Sequence, residues 1–194
     1  MARPPSGAGR RPPRRRPQRR RYLVACEGET EVEYFRRLSK RLGGAVAIRP
    51  VHRHSAPEHV LDLALTEREA NDRSAREAGD PGDVYDEVWI VVDVDTHAHL
   101  TQTLAAASRA GVNSALSGPC FEVWLVLHVE DRRAAFATSK AAKERWEALV
   151  GPARTIEHAL AKTDGNLATA LARADALLAT HDRNQTPRHR RRLS

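Results

Sequence analysis

The sequence predicts an α/β fold, a Rossmannoid parallel sheet with flanking helices and a helical C-terminal extension. Three observations carry that expectation. Short apolar runs of strand length alternate with longer stretches of helical period in the order β-α-β-α-β-α-β, which implies parallel strands joined by right-handed crossovers. The strongest run, Val88 to Val92, is apolar on both faces, as a strand covered on both sides requires. Beyond residue 120 the apolar positions continue only as helical stretches.

The first strand is Tyr22 to Cys26, too short for a helix and closed by Glu27-Gly28. Thr30 and Glu33 have capping-box spacing and predict a helix start, and Val32, Phe35, Leu38 and Leu42 follow on one face. Gly43-Gly44 ends that helix. A weaker strand is expected over Ala45 to Ile48. Ser55 and Glu58 repeat the capping spacing, and Pro57 suits the first turn of a helix over 57–78 that turns Val60, Leu61 and Leu65 inward. Gly79 to Asp86 reads as a polar loop, Val88 to Val92 as the third strand, 98–110 as a helix, and Val112 to Leu116 as the fourth strand. Helices are expected over Cys120–Val129, near 139–150 and over 165–181. There is no internal repeat.

Charge divides the chain more sharply than periodicity does. The formal charge is +7, but residues 1–21 hold nine Arg and no acid, and residues 183–194 hold five Arg and no acid. That leaves 18 of the 32 basic residues, against all 25 acids, in 22–182, a net of about −7. The expected organisation is a disordered Arg/Pro-rich tail over 1–20, an α/β core over 21–130, a helical extension over 131–182 and a basic tail over 183–194. No run approaches the ~18 apolar residues of a membrane span, and no apolar segment of signal-peptide type follows the basic N-terminus. Two cysteines, Cys26 and Cys120, cannot build a disulfide scaffold, and their apolar settings suit buried, reduced thiols. A cytoplasmic location is expected. With three Phe, three Tyr and three Trp, the core rests on Ala, Leu and Val.

Acids follow two of the strands. Glu27 comes directly after the first, and Asp93 and Asp95 after the third. Ligands of open α/β sheets bind beyond the carboxyl ends of the strands, so both clusters are expected to face one crevice. Carboxylates converging without matched cations repel one another and raise their own pKa values. A hard divalent cation, Mg²⁺ or Mn²⁺, relieves this, and can polarise a phosphodiester or lower the pKa of a bound water. Taken singly, a D-x-D or a Glu-Gly at a strand end is more often a turn; it is the pair that points to a metal. Phe121, Trp124, Leu125 and His128 share one helical stripe, which makes His128 a core histidine first and a phosphate contact second. Glu122, six residues before it, lies on a different face and is a candidate additional ligand of the crevice. His97, two residues past Asp95, stands near a phosphate or in a solvated loop. The pairs His52/His54 and His97/His99 lack the further ligands that zinc requires.

Three segments carry a resemblance to a known family. Cys26-Glu27-Gly28-Glu29-Thr30-Glu31 with Tyr34-Phe35, then Val92-Asp93-Val94-Asp95, then Ser117-Gly118-Pro119-Cys120-Phe121-Glu122-Val123-Trp124 through His128 resemble, in order, the motifs of RloB-like proteins. Two positions depart from that pattern. Gly118 stands where Asn is expected, and Thr96 where many relatives carry an acid, which bears on a second metal ion rather than the first. The resemblance implies a Toprim-like domain of the restriction-associated, phage-defence class. Toprim motifs place one Glu after the first strand and a D-x-D after the third, which Glu27, Asp93 and Asp95 match. It further implies a metal-dependent nuclease acting on DNA or on RNA such as tRNA. In that role Glu27, Asp93 and Asp95 hold Mg²⁺, Glu27 also serves as acid/base, and Glu31 falls near a second acidic position. An ATPase partner of the ABC or AAA class and self-association are in keeping with the resemblance. The chain has no G-x-x-x-x-G-K-[ST], so NTP chemistry would come from another chain. The alternative is a non-catalytic nucleic-acid-binding or regulatory module. Arg14, Arg15, Arg16, Arg19, Arg20 and Arg21 are the candidate nucleic-acid contacts, through salt-dependent phosphate binding.

Overall fold

A computed structural model describes residues 19–54, 56–94 and 99–185, with backbone only for Pro81 and 181–185. The Arg14–Arg16 segment, Ser55, Asp95, Thr96, His97 and residues 186–194 of the basic C-terminal tail lie outside the described residues, while 183–185, assigned by composition to that tail, continue the last helix.

Four parallel strands form one sheet among the described residues. They are β1 (Arg20–Cys26), β2 (Val46–His52), β3 (Glu87–Asp93) and β4 (Asn113–Ser117), in the order β2-β1-β3-β4. The crossovers are α1 (Glu29–Leu42), α2 (Pro57–Ala78) and α3 (Leu100–Arg109). Chain direction across the sheet reverses between β1 and β3, so the switch point lies beyond Cys26 and Asp93.

Strand alternation sorts side chains into two apolar layers. Leu23, Ala25, Val88, Ile90 and Val92 pack against Val60, Leu61 and Ala64 of α2 and Ala107 of α3. On the other face Val24, Cys26 and Val91 meet Val32 and Tyr34 of α1 and the C-terminal helices. These are α4 (Glu122–Val129), α5 (Ser139–Val150), α6 (Ile156–Leu160) and α7 (Leu167–Gln185). Leu125 and Val126 of α4, Trp146 of α5 and Leu160 of α6 complete that layer. The same α4 presents Val123 and Leu127 to Ala142 of α5 and to α7, so it is apolar nearly all round and buried as such. The helices of 122–185 are thus docked on the sheet face that carries Cys26 and Val91.

The helical periods for 57–78 and 139–150 match α2 and α5 end for end. The Thr30–Glu33 capping box does not form, and the Ser55–Glu58 one falls on a residue outside the described ones. The N-cap of α1 is Gly28 in extended backbone, without a side-chain cap bond, so the helix begins at Glu29 and Thr30 lies inside it. Pro57 occupies the first turn of α2 as expected, but the N-cap is Ala56. The second strand runs to His52, well past Ile48, because pairing with β1 along its whole length overrides Pro50 and the polar ends. Arg20, assigned by composition to the tail, is the first residue of β1 and pairs with Val46. Helix α6 was not predicted; five residues are too few for a period to register. Both cysteines are free and buried.

Candidate metal centre at the carboxyl ends of β1 and β3

The acids arrive from four elements. Glu27 follows the last residue of β1, and its Oε1 accepts a hydrogen bond from the Asp93 backbone N–H at 3.3 Å, bridging the two central strands. Asp93 ends β3 and projects to the same face as Val91, since it lies two positions further along the strand. Glu31 lies in the first turn of α1 and Glu122 in the first turn of α4. All four line one cavity of about 490 Å³, together with Gly28, His54 and Lys143. Two helix N-termini therefore face the acids and offset part of their charge. Lys143, from α5, supplies the cation.

Burial of the Asp93 carboxyl, with Glu31, Glu27 and Glu122 around it, pushes its pKa up to about 7, against an opposing pull from Lys143. Glu31, only 7% exposed, is raised in the same way, first by burial and then by Glu122 and Glu27. Cys120, behind the pocket, is pushed up to about 12 by burial and by Glu122, so it stays a thiol. Cys26 is raised too, by burial and Glu31, and neither cysteine is a thiolate ligand at neutral pH.

The donor set is of the hard-oxygen kind that suits Mg²⁺ or Mn²⁺. Among the described residues, however, no group of three or more His, Cys, Asp or Glu side chains closes tightly enough to hold a metal ion. Asp95, the expected third ligand, is outside those residues, as is His97.

His128 stands apart from the pocket. It is 1% exposed, its Nε2 lies 3.1 Å from the Tyr34 hydroxyl, and its ring meets those of Tyr34 and Trp124 edge to face. It is the core histidine that its stripe indicates. Arg36 and Arg37 are engaged on the surface of α1, Arg36 with Glu33 and Arg37 with Asp164 and Glu157. Arg19 donates to the backbone oxygens of Val46 and Gly43, Arg20 donates to the Tyr22 hydroxyl, and Arg21 pairs with Asp83. His52 and His54 touch each other, 5.0 Å between ring centroids, and His54 reaches the rim of the acidic cavity.

Sequence reading missed Lys143. It sits in an amphipathic helix, Lys140 and Lys143 look alike there, and only the docking of α5 separates them. Gly28 also gains a reason. A Cβ built on it would lie 2.9 Å from Glu31 Oε2, while its own backbone is ordinary extended chain. Gly28→Ala is therefore expected to displace the Glu31 carboxyl at a stability cost below about 1 kcal/mol, because the obstacle is the far end of a flexible side chain. Thermal melts of both proteins check the cost, and the response of each melt to added Mg²⁺ checks the displacement.

A family model described as RloB-like protein matches residues 22–191. No curated protein and no solved structure matches.

Proposed function

We propose that this chain, which belongs to the RloB-like family, is a divalent-cation-dependent nuclease of Toprim type that cleaves phosphodiester bonds in DNA or RNA. The observation that carries the reading is the gathering of Glu27, Glu31, Asp93 and Glu122 into one cavity at the topological switch point. Among them the pKa values of Asp93 and Glu31 are raised, by burial and by the neighbouring carboxylates, a cost that a cation would relieve. On this reading Glu27, Asp93 and Asp95 hold Mg²⁺ or Mn²⁺, with Glu31 and Glu122 behind them. The ion when bound would polarise the scissile phosphate and lower the pKa of a water. Glu27, fixed by its bond from the Asp93 amide, is placed to take a proton from the attacking water. Lys143 faces the same cavity and is placed to meet a non-bridging phosphate oxygen. The biological role we assign is that of an effector in bacterial phage defence, acting in the cytoplasm, as a homo-oligomer and with an ATPase of the ABC or AAA class supplying the NTP chemistry. Among the described residues no helix is long and apolar enough to cross a membrane.

One observation favours the second reading, a non-catalytic nucleic-acid-binding or regulatory partner of such an ATPase: the described side chains alone do not close into a metal cluster. One experiment separates the two. Labelled DNA and tRNA are incubated with the protein and Mg²⁺ or Mn²⁺, alongside Asp93→Ala. The nuclease reading expects metal-dependent cleavage that Asp93→Ala loses. Cleavage that survives the substitution overturns the site, and absence of cleavage with binding retained selects the second reading.

Lys143→Gln tests the cation. Its removal takes away a cation that opposes the rise of the Asp93 and Glu31 pKa values, so both carboxyls are expected to move further up. Cleavage at pH 7 should fall about tenfold or more, and the pH at which half the activity is reached should rise. A rate profile over pH 6–9 reads both.

A further inference from the structure

Helices α1 and α4–α6 cover only part of the sheet face they pack against. Toward the amino ends of the strands the face is open, and an apolar groove of about 400 Å³ lies there. Its floor includes Tyr22 of β1 and Trp89 of β3, both partly exposed, with Phe35 of α1 on its wall. Trp89 pairs in register with Val24, two residues beyond Tyr22, so the two aromatics are diagonal neighbours on adjacent central strands. At that separation, roughly 7 Å, two consecutive bases can each find a ring.

The rim is basic on the β1–β2 side. Arg20 donates to the Tyr22 hydroxyl at 3.3 Å, and Arg19 donates to Val46 O at 2.9 Å; Tyr22 and Val46 both line the groove. On the β3–β4 side Glu87 accepts from the Trp89 indole N–H at 2.9 Å and from Asn113, which fixes the tryptophan ring. The sequence preceding Arg19 carries six further Arg and no acid. Aromatic platforms flanked by arginine are what sequence-tolerant single-strand binding uses, stacking for the bases and guanidinium for the phosphates.

We propose that this groove is a binding site for single-stranded nucleic acid, with bases on Tyr22 and Trp89 and the backbone held by Arg19 and Arg20. The site lies about 13 Å along the strands from the acidic cavity, four residues at strand rise. It rests on the nucleic-acid reading of the chain and not on cleavage. An apolar protein segment could also cover such a groove; the arginine supply, and the lack of acids among residues 1–21, favour the polyanion.

The test uses the full chain in EDTA, with a fluorescein-labelled 12-nucleotide oligo(dU) followed by anisotropy at 50 and 200 mM salt. Tyr22→Leu and Trp89→Leu keep apolar volume and remove the stacking face. Each is expected to weaken binding about tenfold at both salt concentrations, while Arg20→Gln is expected to reduce the salt dependence. Melting temperature confirms that each variant is folded. If folded Leu variants bind unchanged, the groove is not the site. If instead they alter self-association in sedimentation without altering binding, the groove is a protein interface and the proposal is overturned. Failure of the nuclease reading would show as absent cleavage with the stacking variants still defective, so the two can fail separately.

Discussion

Asp93→Asn is expected to lower Mg²⁺-dependent cleavage by about 10²-fold or more while making the metal-free protein more stable at pH 8. The two effects have one origin. In the metal-free pocket the Asp93 carboxyl keeps its proton up to about pH 7, because burial and three neighbouring carboxylates penalise its charge. In the unfolded chain it ionises near pH 3.8. Between those values the native state binds the extra proton, so native stability is present below pH 3.8 and is lost as pH rises toward 7. Above pH 7 the whole penalty is in force. Asparagine has no charge to bury, and with allowance for the partial exposure of Asp93 it should recover about 1–3 kcal/mol. Added Mg²⁺ should then raise the melting temperature of the wild type, by binding the native state alone, and leave that of the variant unmoved. An equal Mg²⁺ shift in both proteins would remove Asp93 from the metal site.

The strands and their order of appearance were legible because each is an apolar run bounded by Gly or acid, and burial on both faces leaves that signature in composition alone. Val88–Val92 is the clearest case; the structure extends it only to Glu87 and Asp93. Glu27 and Asp93 were legible as partners for the same reason, since strand ends in a parallel sheet share one edge. Spatial order was not legible: nothing local says that β1 is flanked by β2 and β3. The start of α1 misled, because Thr30 has the spacing of a cap while the helix starts earlier, with Gly28 as its N-cap. Glu31 and Glu122 became pocket residues only through the docking of α1 and α4, and Lys143 through that of α5. The uncovered groove was least legible of all, since Tyr22 and Trp89 read as ordinary strand residues until the helices are seen to leave them open.

Acid stability is where the pocket and the core work against each other. His128 is buried beside Tyr34, and burial with Arg41 and Arg173 nearby holds its pKa down to about 4, despite Thr163 and Asp164 favouring the charged form. Its unfolded value is 6.5. Here the unfolded state takes the extra proton, so the contribution of His128 is full above pH 6.5 and is lost as pH falls toward 4, amounting to about 3 kcal/mol. Asp93 runs the other way over nearly the same window, gaining stability as pH falls. In the metal-free wild type the two offset each other, and urea midpoints should change little between pH 7 and 5. Asp93→Asn removes one side of that balance and should expose a steep acid limb. Replacing both buried partners, Tyr34→Phe with His128→Leu, avoids leaving a lone hydroxyl and should expose the opposite slope, a protein more stable at pH 5 than at pH 8. Urea titrations of the three proteins in EDTA at pH 4, 5, 6, 7 and 8 measure these slopes. If Asp93→Asn tracks the wild type at every pH, the acidic pocket does not store charge repulsion in the folded state, and the case for a cation relieving it falls with that result.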